Sequence, residues 1–305
     1  MSSTGGPEAN PESRSEITIR AQIASGVCLL AVALGVVACG GETGGGQSTQ
    51  ADGEAASATD SGLPQGGEPV HLDPDDFTTK IDNPYWPMAP GSRWVYRETD
   101  SEGVKGRIEL TIPNRTKRIA NGIEARVVHD VVTENGEFVE VTDDWYAQDS
   151  DGNIWYMGEK TAEYKNGKVK TTMCSFEAGV DGAQPGIAVP AQPEPGMTYS
   201  QEYDAGKAED RGEVVSLDGQ VEVPFGHFTD VLMTRDTSRV EPKYMEFVFF
   251  ARDVGYVLGV EVSGGSKREE LVSYSPVASR SRRGCHRGSP PPVSPRRDRC
   301  RRRLR

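Results

Sequence analysis

Asn-Gly and Asp-Gly steps recur along the middle of this chain, and they constrain its fold more than any other feature. Asn121-Gly122, Asn135-Gly136 and Asn166-Gly167, with Asp151-Gly152, Asp181-Gly182 and Asp218-Gly219, leave room for strand-length runs between them. Both members of such a step tolerate positive φ, which the tight turns of two-residue β-hairpins demand. The runs alternate with period two, as half-buried strands do. Ile108, Leu110 and Ile112 fall on one face, with Arg107, Glu109 and Thr111 on the other. Ile123, Ala125, Val127, His129 and Val131 share a face of the next run, and Met197, Tyr199, Gln201 and Tyr203 alternate with Thr198, Ser200 and Glu202. Tyr244 to Phe250 is apolar on both faces apart from Glu246, and reads as a central strand covered on both sides. No ten-residue stretch shows helical spacing, so short helical turns are expected only near Asp73–Phe77 and Gly226–Asp230. The expectation is an all-β fold: an antiparallel meander of about twelve strands, curled into a half-barrel, barrel or sandwich because so long a sheet does not stay flat.

The chain divides into four segments: a signal peptide (1–38), a disordered tether (39–69), the β domain (70–276) and a disordered Arg-rich tail (277–305). Ile23 to Val37 is a 15-residue run without a charge, preceded by Arg20. That is short for a membrane span, which needs about 20 apolar residues, and suits a signal-peptide core. The run ends in Val36-Val37-Ala38-Cys39, which resembles the lipobox of bacterial lipoproteins. The resemblance implies that the Cys39 thiol receives diacylglycerol and begins the mature chain. The protein would then be exported and lipid-anchored to the outer face of the cell membrane, or on its periplasmic side. The stretch before the apolar core carries three acids against two arginines where a basic region is expected, so translation is expected to start further in. Gly40 to Pro69 is Gly, Ser, Thr, Ala, Gln and acid, and cannot bury enough surface to offset its ordering entropy.

Charge is distributed as unevenly as hydrophobicity. Arg280 to Arg305 holds eleven arginines and one aspartate, and residues 1–38 sum to −1. With −12 over the whole chain, the segment from Cys39 to Ser279 carries −21. Nucleic-acid binding needs a basic footprint, so no nucleic-acid partner is expected for that body. The basic tail could meet anionic head groups, and Cys285 and Cys300 within it could pair with each other.

Three landmarks in the body resemble an uncharacterised group of bacterial exported lipoprotein β-domains. Tyr85-Trp86-Pro87-Met88-Ala89-Pro90-Gly91-Ser92-Arg93-Trp94-Val95-Tyr96 is similar to that group's PL-x-x-G-x-x-W-x-Y opening. Val223-Pro224-Phe225-Gly226-His227-Phe228 and Ala251-Arg252-Asp253-Val254-Gly255-Tyr256-Val257 resemble its VP-x-G-x-F and A-x-G-V-G-x-V stretches, with Asp253 as a departure. The resemblance covers about Phe77 to Ser275 and implies a fold rather than a chemistry. Such a meander is analogous to the half-barrels of periplasmic lipoprotein carriers, which hold acyl chains in an apolar concavity.

Candidate chemistry is sparse. Asp149, Asp151 and Asn153 could offer oxygens to calcium, but the glycine comes one place too early for a calcium loop, and a hairpin turn between Trp145-Tyr146 and Trp155-Tyr156 explains the same residues. Those four aromatics form a candidate patch, with Trp145 and Trp155 on one side and Tyr146 and Tyr156 on the other; core packing is the competing explanation. His129 lies in an apolar register and reads as a satisfied core residue, and His227 as part of a turn near Asp230. Neither has a nucleophilic serine in a strained elbow. Cys174 reads as a small buried hydrophobe. Acid pairs such as Asp143-Asp144 and Glu269-Glu270 point to opposite faces of a strand and form no acid/base pair by themselves. Glu177 to Gly196 is rich in Pro and Gly, and Ile187, Ala188 and Val189 within it could fold over an apolar mouth as a lid, or belong to a plain crossover. No cofactor is implied. The expectation is a non-enzymatic, lipid-anchored binding domain with a lipophilic small molecule as ligand. The alternatives are a structural module that meets an envelope protein, and a hydrolase.

Overall fold

Three of the six Asn-Gly and Asp-Gly steps adopt positive φ at both residues. The angles are 51° and 84° at Asn135-Gly136, 54° and 70° at Asn166-Gly167, and 51° and 87° at Asp181-Gly182. At Gly122 and Gly152 only the glycine does so. The sixth step, Asp218-Gly219, is no turn: it lies inside a strand at a register shift, and that hairpin turns at Pro224-Phe225 instead. Replacing Asn135 by alanine removes a residue that tolerates the left-handed region. It is expected to lower stability by about 1 kcal/mol in a urea titration, with the slope unchanged.

The computed structural model describes residues 62–277, residue 104 excepted. A single 3-10 turn, Pro74–Asp76, is capped by the Asp73 side chain and leads into β1 (Phe77–Thr78), β2 (Arg93–Thr99), β3 (Lys105–Thr111) and β4 (Thr116–Arg118). Three long strands follow: β5 (Glu124–Glu134), β6 (Glu137–Asp149) and β7 (Ile154–Lys165). The next five are short: β8 (Lys168–Thr171), β9 (Phe176–Glu177), β10 (Gln184–Val189), β11 (Thr198–Ser200) and β12 (Glu202–Tyr203). The chain ends in β13 (Asp210–Val223), β14 (Gly226–Ser238), β15 (Met245–Ala251), β16 (Gly255–Ser263) and β17 (Arg268–Ser275). The helical turn expected at Gly226–Asp230 is therefore the start of β14.

All strand pairing is antiparallel. The meander runs β13-β14-β15-β16-β17, passes to β2, and continues β3-β5-β6-β7-β10. Its two ends are joined by one bent segment, in which β11 pairs with β13 while β12 pairs with β10. Of the three shapes left open by the sequence, the sheet takes a nearly closed barrel.

Residues 62–69, assigned to the tether by composition, lie against this barrel. The Pro64 carbonyl accepts from Ser200 N at 2.6 Å, and Gln65 Nε2 donates to the Thr198 carbonyl at 2.7 Å. The lipobox, the rest of the tether and the Arg-rich tail lie outside the described residues.

One end of the barrel is plugged by the segment between β1 and β2. Trp86 and Met88 have no solvent exposure. The Trp86 ring packs edge-on to Tyr146 (5.4 Å between centroids) and against Phe250 (5.8 Å). Gly255 must be glycine here: φ is +103°, and a Cβ would stand 2.5 Å from the Trp86 ring. Asn83 Nδ2 donates to the carbonyls of Gly152 and Pro190, and Asp253 N donates to the Pro84 carbonyl at 2.7 Å, so the plug is bonded to the hairpins that turn at this end. The three landmark stretches of the sequence meet in the same region. Trp94 Nε1 donates to the Val254 carbonyl (2.7 Å), the Trp94 ring stacks on Tyr274 (4.9 Å), and Tyr274 meets Phe225 edge-on.

Candidate functional site

Going from the plugged end to the other, the inward face of strand after strand changes from apolar to acidic. On β2 the inward series is Trp94, Tyr96, Glu98, opposite Leu110, Ile108 and Gly106 of β3. On β5 it is Val128, Asp130, Val132, facing Asp144, Thr142 and Glu140 of β6, which face Glu159, Thr161 and Glu163 of β7. Across the barrel, Gly212 of β13 is followed by Asp236 of β14, Glu246 of β15 and Glu261 of β16 in adjacent register, and Glu269 of β17 lies opposite Glu98. Because neighbours are antiparallel, these acids, placed early on some strands and late on others, collect at the end away from Trp86.

Most of them are buried, Glu98 and Glu269 at 3% and 2% exposure. Tyrosine hydroxyls meet several of these carboxyl groups, those of Tyr156 and Tyr256 from the apolar half and that of Tyr244 from beyond Glu246. Tyr156 Oη donates to Asp144 (3.1 Å), Tyr244 Oη to Glu246 (2.7 Å) and Tyr256 Oη to Glu269 (2.9 Å). Thr142 donates to Glu140 and shares a hydrogen bond with Thr161; Gln201 Nε2 donates to Asp236 Oδ2 at 2.9 Å. Lys267 is the basic side chain whose charge bears on several of these acids, with Nζ 2.7 Å from Glu98 Oε2 and its backbone N bonded to Glu261 Oε2. Asp130 Oδ1, Glu261 Oε1 and Tyr199 Oη are buried without a hydrogen-bond partner.

Burial is the largest influence on every titration here, because it disfavours the ionised form. It pushes Glu140 and Glu246 up to about 8 and Asp236 up to about 6. Burial, and next the charge of Asp144, hold Asp130 and Glu159 well above the usual carboxylate range; burial and then Glu98 do the same for Glu269. Glu98 is raised by burial even though Lys267 opposes the shift. Such a cluster of buried carboxyl groups can store protons, or exchange them for a bound cation.

The residues singled out by the sequence lie elsewhere or in other roles. Ile187, Ala188 and Val189 form no free lid: they are buried in β10, a stave between β7 and β12, because a bulge at Ile187/Val189 fits this Pro/Gly-rich stretch into the sheet. Tyr146 and Tyr156 face inward, and Trp145 and Trp155 face outward, each tryptophan 6% exposed. Trp155 is covered by Phe77 of β1, and Trp145 by the Lys117 ammonium, 4.6 Å above its ring. Trp145 floors an outer groove of about 530 Å³ that also includes Arg115, Val127, Asp143, Phe176 and Val180. The Asp149 carboxylate is occupied by Asn153 N, Asn153 Nδ2 and Trp155 Nε1 at 2.7–2.8 Å, with Asp151 exposed beside it, which is a turn's wiring.

His129 is not a core residue. It lies half-exposed on the outer face, Nδ1 2.8 Å from Asp143 Oδ1, and the inward register of β5 belongs to its neighbours Val128 and Asp130. Arg115 binds the same Asp143 oxygen, and the nearby Thr111 and Thr133 hydroxyls donate to backbone carbonyls. His227 is exposed at the start of β14, and Cys174 is half-buried in the turn between β8 and β9. The inward acids were missed because a charged side chain was assigned to the solvent face, whether alone in an apolar run as Glu246 is or beside another charge as Asp144 and Glu269 are; the signal was their shared parity with apolar neighbours, as in Glu246, Val248 and Phe250.

Fold and site together define an antiparallel β-barrel with a plugged apolar half and an acidic half. No family model matches the chain, and no curated protein matches it. Among solved structures, a "putative lipoprotein" from Parabacteroides distasonis aligns with 11% identity and a TM-score of 0.36, over 63% of this chain and 99% of that one.

Proposed function

We propose that this chain is an exported binding domain, held at the outer face of the cell membrane by a lipid on Cys39, and that its barrel receives a positively charged ligand at the acidic end. It binds rather than catalyses. The observation that carries the ligand reading is the gathering of inward carboxyl groups from β2, β5, β6, β7, β14, β15, β16 and β17 around so little positive charge. Buried carboxyls are costly unless paired, so their concentration at one end of the barrel asks for a partner. A lipophilic ligand has less to recommend it, because aromatic side chains of the protein fill the apolar half. The outer groove over Trp145 favours a second reading, an interaction module that docks an envelope protein there.

Two measurements test the proposal. Cys39→Ala is expected to move the protein from the membrane fraction to the soluble one. At pH 8 and constant ionic strength, at least one cation in a panel of amines and divalent metals, present at about a hundred times its Kd, is expected to raise Tm by about 5 °C. A panel that leaves Tm where sodium chloride leaves it removes the ligand reading.

A further inference from the structure

We infer that the ligand of the acidic end is a linear aliphatic oligoamine, an inference that rests on the cation-binding reading above. The protein supplies its own example of the chemistry: the alkylammonium of Lys267 sits 2.7 Å from Glu98 Oε2, and its charge also acts on Glu140, Glu246 and Glu269. That one ammonium leaves acceptors unused. Asp130 Oδ1 on β5 and Glu261 Oε1 on β16, strands separated by β17, β2 and β3, have no partner.

A second observation is independent of the acids. The Tyr199 hydroxyl is fully buried and unpartnered on the inward face, where Gly212 leaves the space for its ring: a Cβ there would stand 2.5 Å from it. Tyr199 is paired with Gly212, and Gly212 with Asp236 of β14, so the ring laid over that glycine carries its hydroxyl toward the acidic end. A buried hydroxyl left unmade costs about 1–3 kcal/mol, which a donor or acceptor from a ligand would recover.

The arrangement favours spaced charges over a point charge. Among the described residues no three acidic, histidine or cysteine side chains converge as metal ligands would. The acceptors are distributed around the wall, and tyrosine rings lie among them, where an ammonium and its methylenes gain both ion pairing and ring contact. A flexible chain with two or three ammonium groups reaches several of these oxygens at once.

The experiment is calorimetric titration of the full-length protein at pH 8 with spermidine, putrescine, calcium and magnesium, repeated on Tyr199→Phe and Glu261→Gln. Spermidine is expected to bind about tenfold more tightly than putrescine and than either metal, since each added charge-assisted contact is worth about 1.4 kcal/mol or more. Each variant is expected to weaken spermidine about threefold to tenfold. Tyr199→Phe removes only an unpartnered hydroxyl, so a Tm that holds or rises separates lost binding from lost folding. A metal that binds as tightly as spermidine overturns the oligoamine and leaves the cation reading standing. Spermidine binding that ignores both variants places it on the acidic outer surface and overturns the inference. If no cation binds, both readings fall.

Discussion

The ligand-free protein at pH 9 is expected to melt about 10 °C below its melting temperature at pH 5. Glu140 and Glu246 rise from 4.5 to about 8 on folding and Asp236 from 3.8 to about 6, with Glu98, Asp130, Glu159 and Glu269 displaced in the same direction. A carboxyl whose folded pKa is raised binds its proton more tightly in the native state. Its contribution is complete below the unfolded pKa and is lost as pH climbs through the folded one. The loss therefore runs between about pH 4 and pH 8 for the groups with stated values. One pKa unit corresponds to about 1.4 kcal/mol, but these groups titrate together, so the joint loss is set at about 3–5 kcal/mol, or about 10 °C for a domain of this size. The opposing groups are Glu68, Asp82, Glu109 and Glu270, whose pKa values are lowered. They lie toward solvent, so their effect is small and is felt only at more acid pH. Glu246→Gln keeps the acceptor for Tyr244 and cannot ionise. It is expected to raise Tm at pH 9 by several degrees and to leave pH 5 unchanged. Scanning calorimetry of both proteins across pH 5–9 decides the matter, and a wild-type Tm that is flat or rises with pH refutes the buried-acid description.

The architecture was legible because turn chemistry is local. Asn135-Gly136 and Asn166-Gly167 turn where their backbone preferences dictate, and the strands between them follow from period-two alternation. Barrel closure was not legible. It depends on β11 and β12, five residues pairing in two directions around Gln201, and no local pattern marks that bend. The site was misread for a physical reason. Alternation reports which residues share a face, and polarity was then used to decide which face is inside. That inference fails where the inside is acidic. On β15 the outward residues are the half-exposed Met245, Phe247 and Phe249, while Glu246 points in with Val248 and Phe250. The same inversion placed His129 in the core in place of Asp130. A glutamate alone in an apolar run normally argues for a solvent-facing position. Here it marks a carboxyl that the fold keeps dry, and only the pairing of β14, β15 and β16 brings Asp236, Glu246 and Glu261 side by side.

Lys267→Met is expected to cost little at pH 5 and about 3–5 kcal/mol at pH 9. The ammonium is paired with Glu98 at 2.7 Å, with 15% of the lysine side chain and 4% of the glutamate side chain exposed. Removing one member of a buried ion pair leaves the other uncompensated, which is far costlier than the pair is worth as a unit. At pH 5 the raised pKa values keep many of the surrounding acids protonated, and a methionine can fill the volume of the lysine stem. At pH 9 the same acids must either ionise beside one another or hold their protons against the solvent, and the opposing charge is gone. Lys267 lowers the pKa of Glu98, Glu140, Glu246 and Glu269, so its loss raises all four and steepens the decline of stability with pH. The double variant Lys267→Met with Glu98→Gln removes the stranded charge and is expected to recover most of the loss at pH 9, giving a coupling energy of about 2 kcal/mol in a double-mutant cycle. Equal losses at pH 5 and pH 9 would instead assign Lys267 a packing role, and the acidic end would then not depend on the ammonium that Lys267 turns toward it.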